Sequence, residues 1–93
     1  MTTNTEVAES HGTVKIAPRG LRERVAMAVV DMAQRFKSDI LLCAGSLCID
    51  AKSSMMALML LDALKGQVLD VTARGEDSRE AVQALSQAFQ KAA

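Results

Sequence analysis

Arg19-Gly20-Leu21-Arg22-Glu23-Arg24-Val25-Ala26 lies between an alternating run and a helical one, and that junction decides how the chain folds. Upstream, Val14 and Ile16 alternate within Thr13 to Ala17, a short strand closed by Pro18, which has no N–H to give a ladder. Gly20 permits the turn. Downstream, Val25, Val29, Met32 and Phe36, flanked by Ala26, Val30 and Ala33, recur at the helical period and predict a helix with one wide apolar face, ending near Lys37. The junction also holds Arg19, Arg22 and Arg24 within six residues. A helix start carries partial positive charge and unpaired N–H donors, so each arginine there costs roughly 0.3 to 1 kcal/mol unless an anion answers it. Arg19, Gly20, Arg22 and Arg24 are therefore a candidate anion site of phosphate size. The plainer use of the same residues is a solvated turn with Glu23 as local partner.

Beyond Ser38-Asp39, Ile40 to Cys43 and Leu47 to Ile49 read as a hairpin across Ala44-Gly45-Ser46. A second helix is predicted from Ser53 or Ser54 to about Leu64, stopped by Gly66. Val68, Leu69, Val71 and Thr72 form a last strand, and Gly75-Glu76-Asp77 turns into a final helix with Val82, Leu85 and Phe89 as its stripe. Asp77 and Glu80 have capping-box spacing. The order βαββαβα predicts an α+β fold, a four-stranded antiparallel sheet with three helices on one face. Residues 1–11 are expected to form a disordered polar tail, and residues 12–93 a single domain.

Composition removes several classes of function. Eleven basic and eleven acidic residues cancel, so any anion preference must be local. With no Trp, no Tyr and two Phe, bases have little to stack on, and no nucleic-acid partner is expected. The polar start is unlike a secretory signal, and the apolar run Met55 to Leu61 is far shorter than the roughly 20 residues of a membrane span. The chain is expected to be cytoplasmic, without membrane insertion. Cys43 and Cys48 then read as reduced, small apolar strand residues rather than metal ligands. No metal, no cofactor and no catalytic constellation is expected.

From Met55 to Leu64 only Asp62 is polar, and a helix on one face of a sheet cannot bury its whole circumference. Met55, Met56 and Met59 are expected to leave an exposed, adaptable patch for docking a protein partner. Packing against the first helix and the Leu21 loop, or a homodimer seam, would use the same surface.

Gly20, Leu21, Arg24 and Ala26 match the loop motif Gly-Leu-His-Ala-Arg-Pro-Ala of the HPr family, the phosphocarriers of the phosphoenolpyruvate:sugar phosphotransferase system. Phe36 to Ile40, Ala51-Lys52-Ser53 and Arg74 to Asp77 resemble further segments of that family, so the resemblance covers about Thr13 to Phe89. It implies an open-faced β-sandwich and partners such as enzyme I, an HPr kinase or a regulator. Arg22 stands where the resemblance expects the phosphorylated histidine, and Val25 where it expects proline. A guanidinium stays protonated and has no free lone pair with which to attack phosphorus. The one histidine, His11, lies in or beside the expected tail and reads as an ordinary exposed side chain.

Ser53 follows Arg22 by 31 positions, the offset of the family's regulatory serine, and Ser54 is its competitor when counting back from Gly66. Either serine is equally well explained as a plain N-cap. The resemblance thus implies a docking and regulatory protein that does not carry phosphohistidine and is switched by serine phosphorylation, similar to the catabolite-repression paralogues of HPr. Two other functions compete with it: a working phosphocarrier with an unorthodox acceptor, and an anion- or metabolite-sensing module of ferredoxin-like, ACT-type fold.

Overall fold

A computed structural model describes residues 8–53 and 58–90. Four strands, β1 (Glu9–Lys15), β2 (Asp39–Ala44), β3 (Leu47–Asp50) and β4 (Val68–Arg74), form one antiparallel sheet in the order β1-β4-β2-β3. Helix α1 (Glu23–Gln34) joins β1 to β2, a 3-10 helix (Leu60–Leu64) precedes β4, and helix α2 (Ser78–Gln90) ends the described chain. The last strand is inserted between the first two. That order excludes the ferredoxin-like alternative, whose first strand is central, because β1 here is an edge strand.

Alternation makes one face of the sheet apolar. Val14, Ile40, Leu42, Ile49, Leu69, Val71 and Ala73 point to the same side and are buried. Against them α1 turns Ala26, Val29 and Ala33, and α2 turns Ala81, Val82, Leu85 and Phe89. Leu58 and Leu61 complete the core, each such side chain contributing roughly 1.5 to 3 kcal/mol by burial. The opposite face lies open to solvent, carrying His11, Thr72, Leu41 and Asp50 in one row across the strands.

Four expectations need correction. First, β1 begins at Glu9, so residues 9–11 belong to the sheet and not to the tail expected over residues 1–11; Glu9, Ser10 and His11 pair with Arg74, Ala73 and Thr72. Its inward positions Ser10 and Gly12 are small and polar or bare, so they give no hydrophobic alternation, and the missing Cβ at Gly12 lets Val82 approach to 2.8 Å of where it would lie. Second, α1 stops at Gln34 rather than near Lys37.

Third, Cys43 and Cys48 are joined in a disulfide. They are direct register partners across the β2–β3 hairpin, with Cα atoms 4.1 Å apart, so their side chains share the open face of the sheet. Fourth, the Asp77 carboxylate leaves its own helix and caps a distant loop. It accepts from the backbone N–H of Lys37 at 2.8 Å and of Ser38 at 2.9 Å, and from the Ser38 hydroxyl. Those bonds, led by the Ser38 hydroxyl, hold its pKa below the ordinary 3.8. Beside it Gly75, at φ 150°, lets the backbone of Ser38 come within 2.7 Å of the site a Cβ would occupy.

The described part of the predicted second helix is helical at Leu58 and Met59 and continues as the 3-10 turn. Ser54, Met55 and Met56 lie outside the described residues. No helix among the described residues is long and apolar enough to cross a membrane.

Candidate functional site

The loop between β1 and α1 is held at its base by its neighbours. The Ile16 N–H donates to Gln67 at 2.9 Å, and the Gly66 N–H donates back to Ile16 at 3.0 Å, anchoring the end of β1 beside the start of β4. Ile16 is buried, so the chain leaves the sheet at a fixed point. A tight turn follows, closed by the Gly20 N–H donating to Ala17 at 2.8 Å, and Gly20 reverses the chain at φ 86°. Leu21 then packs partly into the core, so the next residue becomes the N-cap of α1.

That N-cap is Arg22. Its backbone is extended, at φ −75° and ψ 153°, and its side chain makes no capping hydrogen bond. The first intrahelical bond runs from the Ala26 N–H to the Arg22 carbonyl at 2.9 Å. The N–H groups of Glu23, Arg24 and Val25 accordingly have no partner among the described hydrogen bonds. Arg19, Arg22 and Arg24 are all exposed, and none joins an ion pair among the described residues. Arg19, Gly20, Arg22 and Arg24 thus share one loop and helix start that combines free donors with cationic side chains. Glu23, in the first turn, is the single acid there and favours the helix dipole. A phosphoryl or carboxylate oxygen can be held at such a junction. Nothing in it can be phosphorylated by attack of a ring nitrogen.

His11 lies elsewhere. It is on β1, on the open face of the sheet, away from the helices. Nε2 is 2.7 Å from the Glu9 carboxylate, which can only accept, so that nitrogen donates, and Nδ1 lies 3.1 Å from the Thr72 hydroxyl. Arg74 holds the other oxygen of Glu9 at 3.2 Å. The histidine is exposed, as expected, and belongs to a cross-strand polar row.

Ser53 occupies a turn after β3 and is exposed. Its hydroxyl donates to the Asp50 carbonyl at 2.9 Å and its N–H to the same oxygen at 3.1 Å. Among the described residues it closes a turn, where an N-cap had been expected. The neighbouring Lys52 reaches the Phe36 carbonyl with its ammonium at 2.7 Å, just past the C-terminal end of α1. Lys52 is therefore tied to the end of α1 opposite Arg22, roughly 18 Å along a 12-residue helix. No described hydrogen bond or ion pair joins the two regions.

Met59, the residue that leads into the 3-10 turn, is 46% exposed, and Leu60, the first of that turn, 59%. Between α1 and α2 runs a groove of about 360 Å³ that begins at Arg24 and was not anticipated. Its signal was present in Ala84 and Ala88, small residues one turn apart on α2, but which helix they face is a tertiary fact.

Residues 11–91 match the family model for the PTS HPr component phosphorylation site. The phosphocarrier protein HPr of Buchnera aphidicola is 35% identical over 74 residues, covering 78% of this chain and 86% of the relative. The crystal structure of HPr from Bacillus anthracis superimposes with a TM-score of 0.75 at 32% identity, covering 87% of this chain and 96% of that one. The Bacillus subtilis catabolite repression protein Crh, whose crystal structure shows a swapped domain in an intertwined dimer, superimposes with a TM-score of 0.67 at 32% identity. That match covers 98% of this chain and 94% of Crh.

Proposed function

This chain belongs to the HPr family, and from that premise we propose that it is a regulatory and docking protein of the phosphotransferase system that carries no phosphohistidine. One observation carries the reading. The helix start, with its free N–H groups and exposed arginines, is capped by Arg22, while the one histidine sits on the other face of the sheet with both ring nitrogens engaged. The protein recognises a partner rather than catalysing a reaction of its own. Met59 and Leu60 supply an exposed apolar contact for that partner, with Met55 and Met56 as its continuation in the sequence. The cytoplasm is its place in this reading, where the Cys43–Cys48 bond meets a reducing thiol pool.

Ser53 is the proposed switch, with Ser54 as the alternative acceptor. The Ser53 hydroxyl is exposed and held only by a turn carbonyl, so a kinase reaches it without unfolding the domain. A phosphoryl group there adds about −1.5 to −2 charges beside Lys52. Incubation with a bacterial HPr kinase and ATP, followed by intact mass, is expected to add one phosphate in the wild type and none in Ser53→Ala. Labelling lost only in Ser54→Ala moves the switch by one residue, and no labelling at all removes it.

A further inference from the structure

We propose that the groove between α1 and α2 binds a small amphipathic carboxylate, its head on Arg24 and its apolar tail along Ala28, Ala84 and Ala88. The groove exists because the apolar stripe of α1 is wider than the sheet can cover. Ala26, Val29 and Ala33 face the core, and Val25, Ala28 and Met32 are left a quarter-turn away, toward α2. On α2 the facing residues are Ala84, Gln87 and Ala88. Helices pack with axes roughly 8 to 10 Å apart, and alanines at that distance do not meet, so a channel of about 360 Å³ stays open along the seam. That volume falls within the roughly 300 to 1,000 Å³ of small-molecule sites.

Length and charge select the occupant. From Val25 to Met32 the wall extends about 10 Å, enough for one short aliphatic chain and too short for a docked helix of three or four turns. Met32 can adjust its flexible thioether to the tail. Arg24 is the only charged residue lining the groove, stands at one end, and has no acidic partner among the described ion pairs. One planar guanidinium matches one carboxylate through two parallel N–H···O bonds. Arg24 also belongs to the candidate anion site, but Arg19, Gly20, Arg22 and Ser53 do not line the groove, so shifts at Ala84 and Ala88 separate this inference from the phosphoryl reading.

Decanoate titrated into the isotope-labelled full chain, below its micelle concentration, gives a direct test through amide shifts. Saturable shifts at Ala28, Met32, Ala84 and Ala88 are expected. Arg24→Gln is expected to weaken binding at least about tenfold, and 1-decanol to bind the wild type correspondingly more weakly. Ala84→Phe, which fills a half-exposed position, should abolish the shifts; Ala28→Phe serves the same purpose if the first variant does not fold. Inorganic phosphate should move Gly20 to Arg24 without moving Ala84 or Ala88. Three results overturn the proposal: no saturable shift, decanoate binding unchanged in both filled variants, or decanol binding as tightly as decanoate.

Discussion

Asp77 and Gly75, each meeting Ser38 in a loop about forty residues upstream, show what a single residue can decide. Asp77 closes the end of the α1–β2 connection through Lys37 and Ser38, and its pKa lies below its ordinary 3.8 because the charged form receives those bonds. A carboxylate depressed on folding stabilises the protein above its unfolded pKa and loses that contribution as the pH falls through the lower folded value. Asp77→Asn is therefore expected to be less stable than the wild type at neutral pH and to lose less further stability between pH 5 and pH 2, on the order of the window these groups span. Denaturant unfolding at stepped pH measures the difference. Gly75 is the second case. A methyl group there meets the backbone of Ser38, which cannot swing aside, in a conformation that L-residues rarely adopt. Gly75→Ala should cost about 3 kcal/mol, read as a lowered denaturation midpoint with unchanged slope. Asp77 was legible as a helix-start residue from its spacing to Glu80, yet its real partners were not, because local spacing carries no information about a loop forty residues away.

At the scale of elements, patterns with strong periodicity were readable and those built from small residues were not. The stripes of α1 and α2 and the alternation of Leu69, Val71 and Ala73 directly place these elements on one side of the sheet. The first half of β1 escaped because Ser10 and Gly12 occupy its inward positions. The hairpin was legible, with its turn at Gly45, at φ 60°, and Ser46. The pairing of Cys43 with Cys48 requires the register, which follows once Gly45 and Ser46 alone form the turn. The bond closes a loop of only a few residues between strands already paired, so its chain-entropy contribution is at most about 2 kcal/mol. Cys43→Ser with Cys48→Ser should lower stability by no more than that and leave the fold intact. Reduced wild type should match the double variant within about 0.5 kcal/mol in denaturant unfolding, since the two sites share one interaction.

The whole molecule divides into two faces with different chemistry. The open sheet face holds His11, Glu9, Thr72 and the disulfide, whereas the helical side holds the arginine-rich helix start, the α1–α2 groove and the Met59–Leu60 turn. With formal charge zero, no field of the whole molecule draws in anions, so the proposed anion site at residues 19–25 rests on local groups alone, the free N–H groups and the arginines. Family membership was legible in this same short stretch, through the glycine turn, the leucine anchor and Arg24, with Arg22 standing where the resemblance expects histidine. The groove was not legible, since it depends on which alanines of two separate helices face each other. The most direct test of the central claim is intact mass after incubation with enzyme I and phosphoenolpyruvate, with a conventional HPr as positive control. The wild-type chain is expected to keep its mass unchanged while the control gains one phosphate; an acid-labile phosphate on this chain would contradict the assignment of Arg22 as the end of the phosphohistidine pathway.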